Sequence, residues 1–309
     1  MPATRARLAT RASPLALWQA HSVAEQLGRS QPGIEVTVVT VDTAGDRRVD
    51  RSIGEIGGQG VFVNEVQAAV LDGRADIAVH SAKDLPSATP DGLLLAAVPS
   101  RADPRDVLVG STLDGLAPGA LIATGSRRRM AQLAWLRSDL TFMGLRGNIA
   151  SRLQKIPPGG AIVMAAAALE RLRLVPVVSQ TLEVAQMVPQ VGQGAIALEC
   201  RKDDLARAHL LESVNEEDAF VCVQAERAFL SSIGGGCDLP VGAHAWLDGA
   251  TMTIEGLVGS ADGKVILRER RSGPRNDSAR LGVEAALVLL RAGGAELLDG
   301  DPGGAGRPT

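Results

Sequence analysis

The sequence predicts an α/β protein with two doubly wound lobes and a small C-terminal α+β domain that contains an antiparallel three-stranded sheet. Up to about residue 200, apolar strand-like runs alternate with helix-like segments, a pattern typical of parallel sheets covered by helices. After residue 240, strand-like runs follow one another with short polar turns, which indicates an antiparallel meander. The length of 309 residues allows two or three such domains.

The first block of alternation begins with a strand at 5–10 and a helix that Ser13 caps, with Pro14 at its first position. The β-branched run at 34–41 predicts a strand buried on both faces. The glycine-rich segment 42–60 has no period and is long for a connection, so it favours a mobile functional loop. The next elements are a helix at 61–73 and strands at 75–80 and 93–99.

The second block repeats this alternation. It contains strands at 120–125 and 140–147, helices at 126–137 and 148–156, and a strand joined to a helix at 161–172. A strand within 190–200 follows a bend at Gly192 and Gly194, which suits a crossing between the two lobes.

The third block has a helix at 215–234, the meander at 240–273 and an amphipathic helix at 276–294. We therefore predict a first lobe of residues 1–99 and 195–214, a second lobe of 100–194 and a third domain of 215–298. The Gly/Pro-rich segment 299–309 is predicted to be a disordered tail.

The composition excludes several classes of protein. The formal net charge of −3 and the pI near 5.9 argue against a general nucleic-acid binder. No apolar run is long enough to cross a membrane, and the N-terminus lacks a signal-peptide core, so we expect a cytoplasmic protein. The cysteines, histidines and carboxylates show no metal-ligand spacing, so no metal is expected.

The most informative segment places Cys237 directly after three glycines in a predicted loop. Glycines allow a bulky group to approach the backbone closely, and an accessible thiol is a nucleophile or a point of covalent attachment. The alternative is a small apolar side chain that happens to follow a turn. Cys200 and Cys222 lie in apolar runs and are expected to be buried and inert.

Three predicted strand–loop–helix junctions carry arginine: 10–13, 124–129 and 146–148. Ligands of open α/β sheets bind at such junctions, where helix N-termini and guanidinium groups attract carboxylates or phosphates. Three junctions in one chain favour a ligand with several anionic groups, although arginines in a first helical turn are often only solvated.

The loop 80–86 also follows a predicted strand, so Asp84 is expected to point into the same crevice, with Lys83 as an anion contact. A carboxylate there can hold a cation or steer a proton. The alternative is a turn aspartate that binds its own backbone. His80 ends an apolar strand and is expected to be structural.

Several of these segments together resemble the porphobilinogen deaminase family. The matching motifs occur in family order over roughly residues 7–245: ATRASPLALWQA, VDTAGD, GGQGVFVNEVQ, DIAVHSAKDLP, ATGSRRR, LRGN, VGQGAIALEC and ERAFLSSIGGGCDLPVGAHA. The resemblance implies two lobes like those of periplasmic binding proteins plus a third domain, in a monomeric enzyme of tetrapyrrole synthesis. Such an enzyme condenses four porphobilinogen molecules head to tail, releases ammonia at each step, and frees hydroxymethylbilane with water.

The resemblance also implies a dipyrromethane cofactor joined to Cys237 through a thioether. Asp84 corresponds to the catalytic aspartate of the family and contacts the cofactor. The other residues implied to bind the cofactor are Lys83, Ser126, Arg128 and Arg129. The residues implied to hold the carboxylates of the substrate are Arg11, Ser13, Arg127, Arg128, Arg146, Arg152 and Arg171.

The chain departs from the family at a few positions. Gln59 and Asn64 stand where many members have lysine, and Asp238 follows the cysteine where an uncharged residue is common. A negative charge at Asp238 is expected to raise the pKa of the thiol. The loop 42–60 and the glycines at 192 and 194 are the predicted points of movement.

Two other functions compete with this one. A non-catalytic, two-lobed binding protein for a small polyanion suits the arginines equally well but needs neither Cys237 nor Asp84. A phosphate-handling enzyme is the weaker alternative, because the sequence has no glycine-rich phosphate loop.

Overall fold

The computed structural model describes residues 5–43, 63–235 and 239–299. From the N-terminus to residue 97, the elements are β1 (Arg5–Arg11), α1 (Pro14–Ser30), β2 (Glu35–Val41), α2 (Asn64–Leu71), β3 (Ile77–Ser81), a 3₁₀ turn (Ala82–Asp84) and β4 (Leu93–Ala97). The second group is β5 (Asp106–Val109), β6 (Leu121–Ala123), α3 (Arg127–Leu136), β7 (Thr141–Met143), α4 (Ile149–Leu153), β8 (Ala161–Ala165), α5 (Ala166–Arg171) and β9 (Ser179–Leu182).

The remaining elements begin with the return of the chain to the first sheet. They are β10 (Ile196–Arg201), α6 (Leu205–Glu212), α7 (Glu217–Ser232), β11 (Val241–Asp248), β12 (Thr251–Gly259), β13 (Ile266–Pro274), a 3₁₀ turn (Arg275–Asp277), α8 (Ser278–Leu289), a π turn (Leu290–Gly294) and α9 (Ala295–Asp299).

The first sheet has the strand order β2–β1–β3–β10–β4. β1 is parallel to β2 and β3, whereas β10 is antiparallel to β3 and β4. The prediction that the run 34–41 is buried on both faces is wrong: in β2, Val41 is buried and the preceding residues are exposed or half-buried. The reason is its place at the edge of the described sheet, which the β-branched composition did not reveal.

The second sheet has the order β7–β6–β8–β5–β9. β6 is parallel to β7 and β8, and β5 is antiparallel to β8 and β9. The α/β class with two sheet–helix lobes is therefore confirmed, with mixed rather than wholly parallel sheets. In each sheet the antiparallel pairing involves a strand that follows a crossing of the chain between the lobes. β5 follows the first crossing, residues 98–105, and β10 follows the return crossing, residues 183–195.

The third sheet is the predicted antiparallel meander, in the order β11–β12–β13. Helices α7 and α8 pack against it around a core that includes Phe229 and Leu281. The two helices approach closely at Gly282, where an added Cβ atom would lie 2.1 Å from the carbonyl oxygen of Ala225. This domain therefore depends on the absence of a side chain at Gly282.

Glu226 of α7 connects the third domain with both chain crossings. Its carboxylate accepts two hydrogen bonds from Arg101 at 2.7 and 3.1 Å, and others from the backbone N–H groups of Gly192 at 2.7 Å and Ala245 at 2.9 Å. Burial opposes ionisation of Glu226, but Arg101 and His244 outweigh it and lower the pKa to about 2. The carboxylate is therefore a fixed negative charge at the junction of the three sheets.

Within the described ranges, no helix has both the length and the apolar character that a membrane crossing requires.

Candidate functional site

Asp84 ends the 3₁₀ turn that follows β3, at the carboxyl end of this central strand of the first sheet. Ala82 and Leu85 are 3% and 2% exposed, so the turn is anchored on both sides of the half-buried Asp84. A hollow of about 20 Å³, close to the size of one water molecule, reaches Asp84 and is also lined by Arg11, Gln19 and Ser81. Among the described residues, none donates a hydrogen bond to the Asp84 carboxylate.

The return crossing holds this turn from behind. The N–H of Ala82 donates to the carbonyl of Ala195 at 3.0 Å. Gly192 has a φ of +70° and packs so closely that an added Cβ would lie 2.9 Å from the carbonyl carbon of Ala82 and 3.0 Å from the nitrogen of Lys83. The predicted bend at Gly192 is therefore also a wall of the site, because only glycine fits both the backbone angle and the space.

The first wall of the crevice is formed by the carboxyl ends of β1 and β3. Since these strands are parallel neighbours, Arg11 at the end of β1 lies beside the strand that leads to Asp84. Ser13 caps α1, and its Oγ accepts a hydrogen bond from the N–H of Ala16 at 3.3 Å. Because this bond uses a lone pair of the oxygen, the hydroxyl of Ser13 keeps a proton with which it can donate to a carboxylate. The structure thus brings Arg11, Ser13 and Asp84 together at the carboxyl ends of two neighbouring parallel strands, as predicted.

The second wall consists of the first turns of α3 and α4. The Oγ of Ser126 accepts a hydrogen bond from the N–H of Arg129 at 3.4 Å and so caps α3. In α4, the Nε of Arg152 donates to the carbonyl of Gly147 at 2.8 Å, which folds the side chain back over the turn that follows Arg146. Arg127 and Arg146 are half-buried on the same side of the second sheet. All three predicted arginine junctions are therefore helix starts.

Charge interactions show that the two walls face each other. Burial and the nearby Arg129 lower the pKa of Lys83 to about 8, and Asp84 opposes this shift. Burial also lowers the pKa of Arg152, together with repulsion from Arg129 and Arg146, whereas Asp84 raises it. Among the described residues, several cations are thus crowded around the carboxylate of Asp84. Guanidinium and ammonium groups placed in this way suit a ligand with several carboxylates.

Arg128 and Arg129 are occupied by a buried counter-ion, Asp106 of β5. Arg128 is 1% exposed and reaches Oδ2 of Asp106 at 2.8 Å, and its Nη1 donates to the carbonyl of Val188 at 2.7 Å. Arg129 donates to Oδ1 of Asp106 at 3.0 and 2.7 Å and to the carbonyl of Val163 at 2.8 Å. Binding of ligand carboxylates by these arginines remains a prediction, but both side chains are buried in the second lobe rather than solvated at its surface.

Arg171 joins the two lobes. At the end of α5 it is 8% exposed, its Nη2 donates to the carbonyl of Gly194 at 2.7 Å, and its guanidinium lies 5.5 Å from the ring centroid of Trp18 on α1. Burial lowers its pKa to about 10. This is a cation–π contact between a second-lobe helix and a first-lobe helix. The observed contacts of Arg171 are those with Gly194 and Trp18. A contact of Arg171 with the substrate remains a prediction.

The predicted attachment point, Cys237, lies outside the described residues, as do Gln59, Asp238 and all but the first two residues of the loop 42–60. In the sequence, Cys237 lies between the end of α7 at Ser232 and the start of β11. The tail 300–309 is likewise outside the described residues.

The other two thiols agree with the expectation that they are inert. Cys200 is fully buried and Cys222 is 6% exposed. Burial raises the pKa of Cys200 to about 11 and that of Cys222 to about 12. Both therefore remain protonated thiols near neutral pH, which agrees with the expectation that neither is reactive.

The sequence analysis missed three fully buried carboxylates: Asp106, Glu199 and Glu226. Glu199 accepts a hydrogen bond from Gln67 at 2.8 Å, and its Oε2 lies 3.3 Å from Nε2 of His80, which agrees with a structural His80. One signal was present for Glu199, which interrupts the apolar run of β10, whereas Asp106 follows a polar segment at the start of β5. No group of three or more histidine, cysteine or carboxylate side chains within the described ranges is placed to hold a metal ion.

Two family models that match this chain describe domains of the same protein family. A family model described as "Porphobilinogen deaminase, dipyromethane cofactor binding domain" matches residues 6–209, and one described as "Porphobilinogen deaminase, C-terminal domain" matches residues 220–291. The matched N-terminal region is thus a dipyrromethane cofactor-binding domain. It contains every described residue that was predicted to hold cofactor or substrate.

Two similar relatives cover almost the whole chain. A porphobilinogen deaminase of Roseiflexus castenholzii is 47% identical over 298 residues, which are 95% of this chain and 98% of the relative. A porphobilinogen deaminase of Trichlorobacter lovleyi is 42% identical over 303 residues, 97% of each chain. Among solved structures, a marine metagenome TRAP solute binding protein is 12% identical with a TM-score of 0.41, covering 96% of this chain and 90% of that one.

The matched models together span most of the chain, and the relatives align from end to end with few residues left over. The crevice between the lobes, with Asp84 facing a crowded group of cations, lies within the matched region. The chain therefore belongs to the porphobilinogen deaminase family.

Proposed function

We propose that this chain is a hydroxymethylbilane synthase. It condenses four porphobilinogen molecules head to tail, releases ammonia at each step and then releases hydroxymethylbilane with water. The observation that carries the proposal is the crevice in which the carboxylate of Asp84 faces crowded cations with lowered pKa values, Lys83 and Arg152. The relatives at 42–47% identity, which are named porphobilinogen deaminase, support the same activity.

The residues of the crevice fit the dipyrromethane that the family model names. Each pyrrole unit derived from porphobilinogen carries an acetate and a propionate, so a two-unit group brings several carboxylates. When bound through a thioether at Cys237, the group supplies the primer to which substrate units are added. Lys83 and the hydroxyl of Ser126 would hold its carboxylates, with Arg128 and Arg129 behind them in the buried pair with Asp106.

The substrate and the growing chain carry further carboxylates, and a second set of residues is proposed to hold them. These residues are spread over both lobes, so successive units can be held as the chain lengthens. They are Arg11, Ser13, Arg127, Arg128, Arg146, Arg152 and Arg171. Guanidinium groups suit this task because their planar donors pair with a carboxylate through two hydrogen bonds.

Asp84 is proposed as the catalytic residue. Its carboxylate accepts hydrogen bonds from pyrrole N–H groups and stabilises the positive charge that develops on the ring nitrogens as ammonia leaves. A half-buried carboxylate in a narrow crevice does this more effectively than one in water, because water screens it less. Asp84 in turn favours the charged forms of Lys83 and Arg152, the cations beside it that are proposed to hold carboxylates.

Asp84→Asn tests this role, because the amide keeps the shape of the side chain and loses its charge. We expect the rate of porphobilinogen consumption to fall by about a hundredfold or more, the loss typical of removing one stabilising group. The covalent cofactor mass should be retained. The matched control is Asp72→Asn, which removes an exposed carboxylate beside Arg74. A rate for Asp84→Asn within about threefold of wild type, a change too small for such a group, would reject Asp84 as the catalytic residue.

We also propose that the protein works as a monomer in the cytoplasm, with porphobilinogen as its small-molecule partner and no nucleic-acid or membrane partner. The formal net charge of −3 supports the absence of a nucleic-acid partner. Light scattering across a range of protein concentrations measures the oligomeric state, and a mass that doubles with concentration would contradict the monomer.

A further inference from the structure

The turn that carries Asp84 rests on helix α7 of the third domain. Ala82 and Leu85, on either side of the turn, share one apolar cluster with Ala219 and Val223 of α7. All four are at most 5% exposed. Apolar contact of this kind holds two elements together but has no direction, so it does not by itself fix where along the helix the turn lies.

A directional contact is made one helical turn further along α7, by Arg227. Its Nη1 donates to the carbonyl of Pro86 at 3.0 Å. Its Nη2 donates to Oγ1 of Thr89 at 3.2 Å and lies 3.4 Å from the carbonyl of Ser87. The three acceptors belong to the segment that directly follows Asp84. Because the guanidinium is planar and rigid, binding several acceptors fixes both the distance and the orientation of this segment.

Helix α7 is itself held in place. The neighbouring Glu226 binds Arg101 of the first crossing and the N–H of Gly192 of the return crossing. The helix ends at Ser232, five positions before Cys237 in the sequence. The helix that leads to the predicted attachment point is therefore the helix on which the Asp84 turn is fixed.

We propose that Arg227 is a positioning residue for Asp84. Through its bonds to residues 86–89, it sets the position of the Asp84 carboxylate in the crevice without touching substrate itself. Arg227 is half-buried, and burial lowers its pKa, which agrees with a guanidinium held between two elements. The inference rests on the proposed function, because the role of Asp84 is the one proposed above.

The test compares Arg227→Gln and Arg227→Lys with wild type, with porphobilinogen as substrate. We expect kcat of Arg227→Gln to fall by about tenfold or more, since a displacement of about 1 Å costs up to about a hundredfold. KM should change by less than about threefold, because the carboxylate contacts remain. Arg227→Lys should recover part of kcat, because an ammonium group still reaches one acceptor.

The matched control is Arg137→Gln. Arg137 also donates to two loop carbonyls, those of Leu113 at 2.7 Å and Leu116 at 3.3 Å, but it lies at the end of α3, outside the crevice. We expect its kcat to equal that of wild type. Intact mass gives the fraction of each variant that carries the cofactor, and kcat is expressed per loaded molecule. Equal losses in Arg137→Gln and Arg227→Gln would overturn the proposal.

A double-mutant cycle separates positioning from general stability. If Arg227 acts through Asp84, then Arg227→Gln lowers kcat in the wild type and changes it by less than about twofold in the Asp84→Asn background. Full additivity in the cycle, or a wild-type kcat in Arg227→Gln, overturns the inference while the proposed function stands. A wild-type protein that consumes no porphobilinogen would instead overturn the proposed function.

Discussion

Asp106 stabilises the second lobe because its carboxylate neutralises two buried guanidinium groups. It is fully buried and is bound by Arg128, Arg129 and the side-chain amide of Gln193. Burial opposes its ionisation, but the two arginines outweigh this and hold its pKa well below the usual range. Removing such a partner strands buried charges, which is much more costly than losing a surface ion pair.

Asp106→Asn should therefore lower the free energy of unfolding by about 3–5 kcal/mol. The control is Glu35→Gln, which breaks the exposed pair with Arg5 at 2.8 Å and should cost less than about 1 kcal/mol. Urea denaturation of both variants gives the comparison. Similar small losses in the two variants would mean that Asp106 is not the counter-ion of the arginines in solution.

Lys83 provides a pH test. Its pKa is about 8 instead of the ordinary 10.5, because burial and Arg129 favour the neutral amine. Below this pKa the ammonium can bind carboxylates, and above it the charge is lost. In the same pH window, from about 8 to 10.5, this group makes folding more favourable as pH rises, since the unfolded lysine still binds its proton.

We expect kcat/KM for porphobilinogen to fall as pH rises through or above about 8, the pKa of Lys83. Carboxylates bound beside Lys83 shift the fall upward, because they favour its charged form. In Lys83→Arg the fall should disappear, since a guanidinium does not titrate in this range. Lys202→Arg, at an exposed lysine, should keep the wild-type profile. The same falling limb in Lys83→Arg would assign it to another group.

At the scale of single residues, the sequence predicted the arginine junctions correctly but not which arginines are buried in an ion pair. Arg128 and Arg129 lie in the same motif as Arg127, and their burial depends on Asp106, which is 22 positions before Arg128 and on another element. A pairing between distant positions has no local signal in a single sequence. The same reason hid Glu226, whose partners come from both crossings and from β11.

At the scale of elements, most helices and strands were predicted, but the short strands β5 and β9 were not. α1, α7 and the meander β11–β13 appear where the apolar pattern places them. β5 and β9 have four residues each, too few to show a period, and β5 follows a segment rich in proline and charge. The edge position of β2 depends on its neighbours in the sheet, which the composition of the strand does not encode.

The contact between α7 and α8 is a test at this scale. Gly282→Ala places a Cβ atom 2.1 Å from the carbonyl oxygen of Ala225, so the helices must separate and we expect a loss of about 1–3 kcal/mol in unfolding free energy. Gly28→Ala is the matched control in α1, where nothing lies within 4 Å, and it should stabilise by up to about 1 kcal/mol. Thermal unfolding of both variants measures these changes in stability. A gain in stability for Gly282→Ala would contradict the close packing of α8 against α7.

At the scale of the whole molecule, the crevice is defined by how the three sheets are joined. The crossings pass beside Glu226, Arg171 links α5 to Gly194 and Trp18, and Gly192 packs on the Asp84 turn. The sequence predicted two lobes with a glycine bend between them. It did not predict that the bend also forms a wall of the site, because that follows from the arrangement of elements far apart in the chain.

The division of the chain into 1–99 with 195–214, 100–194 and 215–298 remains a prediction at this scale. The three sheets are compatible with it, since their strands fall within those ranges. The contacts of Glu226 with Arg101 and of Arg171 with Trp18 cross the proposed boundaries. Movement of one domain against another would therefore have to break these contacts.

The most direct test of the account is the intact mass of the purified protein under denaturing conditions. The account predicts one added mass equal to two pyrrole units in the wild type, and its absence in Cys237→Ser. Cys222→Ser is the control, because Cys222 is buried and its thiol pKa is raised, and it should keep the added mass. If the wild type gains no mass even after incubation with porphobilinogen, or if Cys237→Ser keeps the added mass, the covalent cofactor on Cys237 is contradicted.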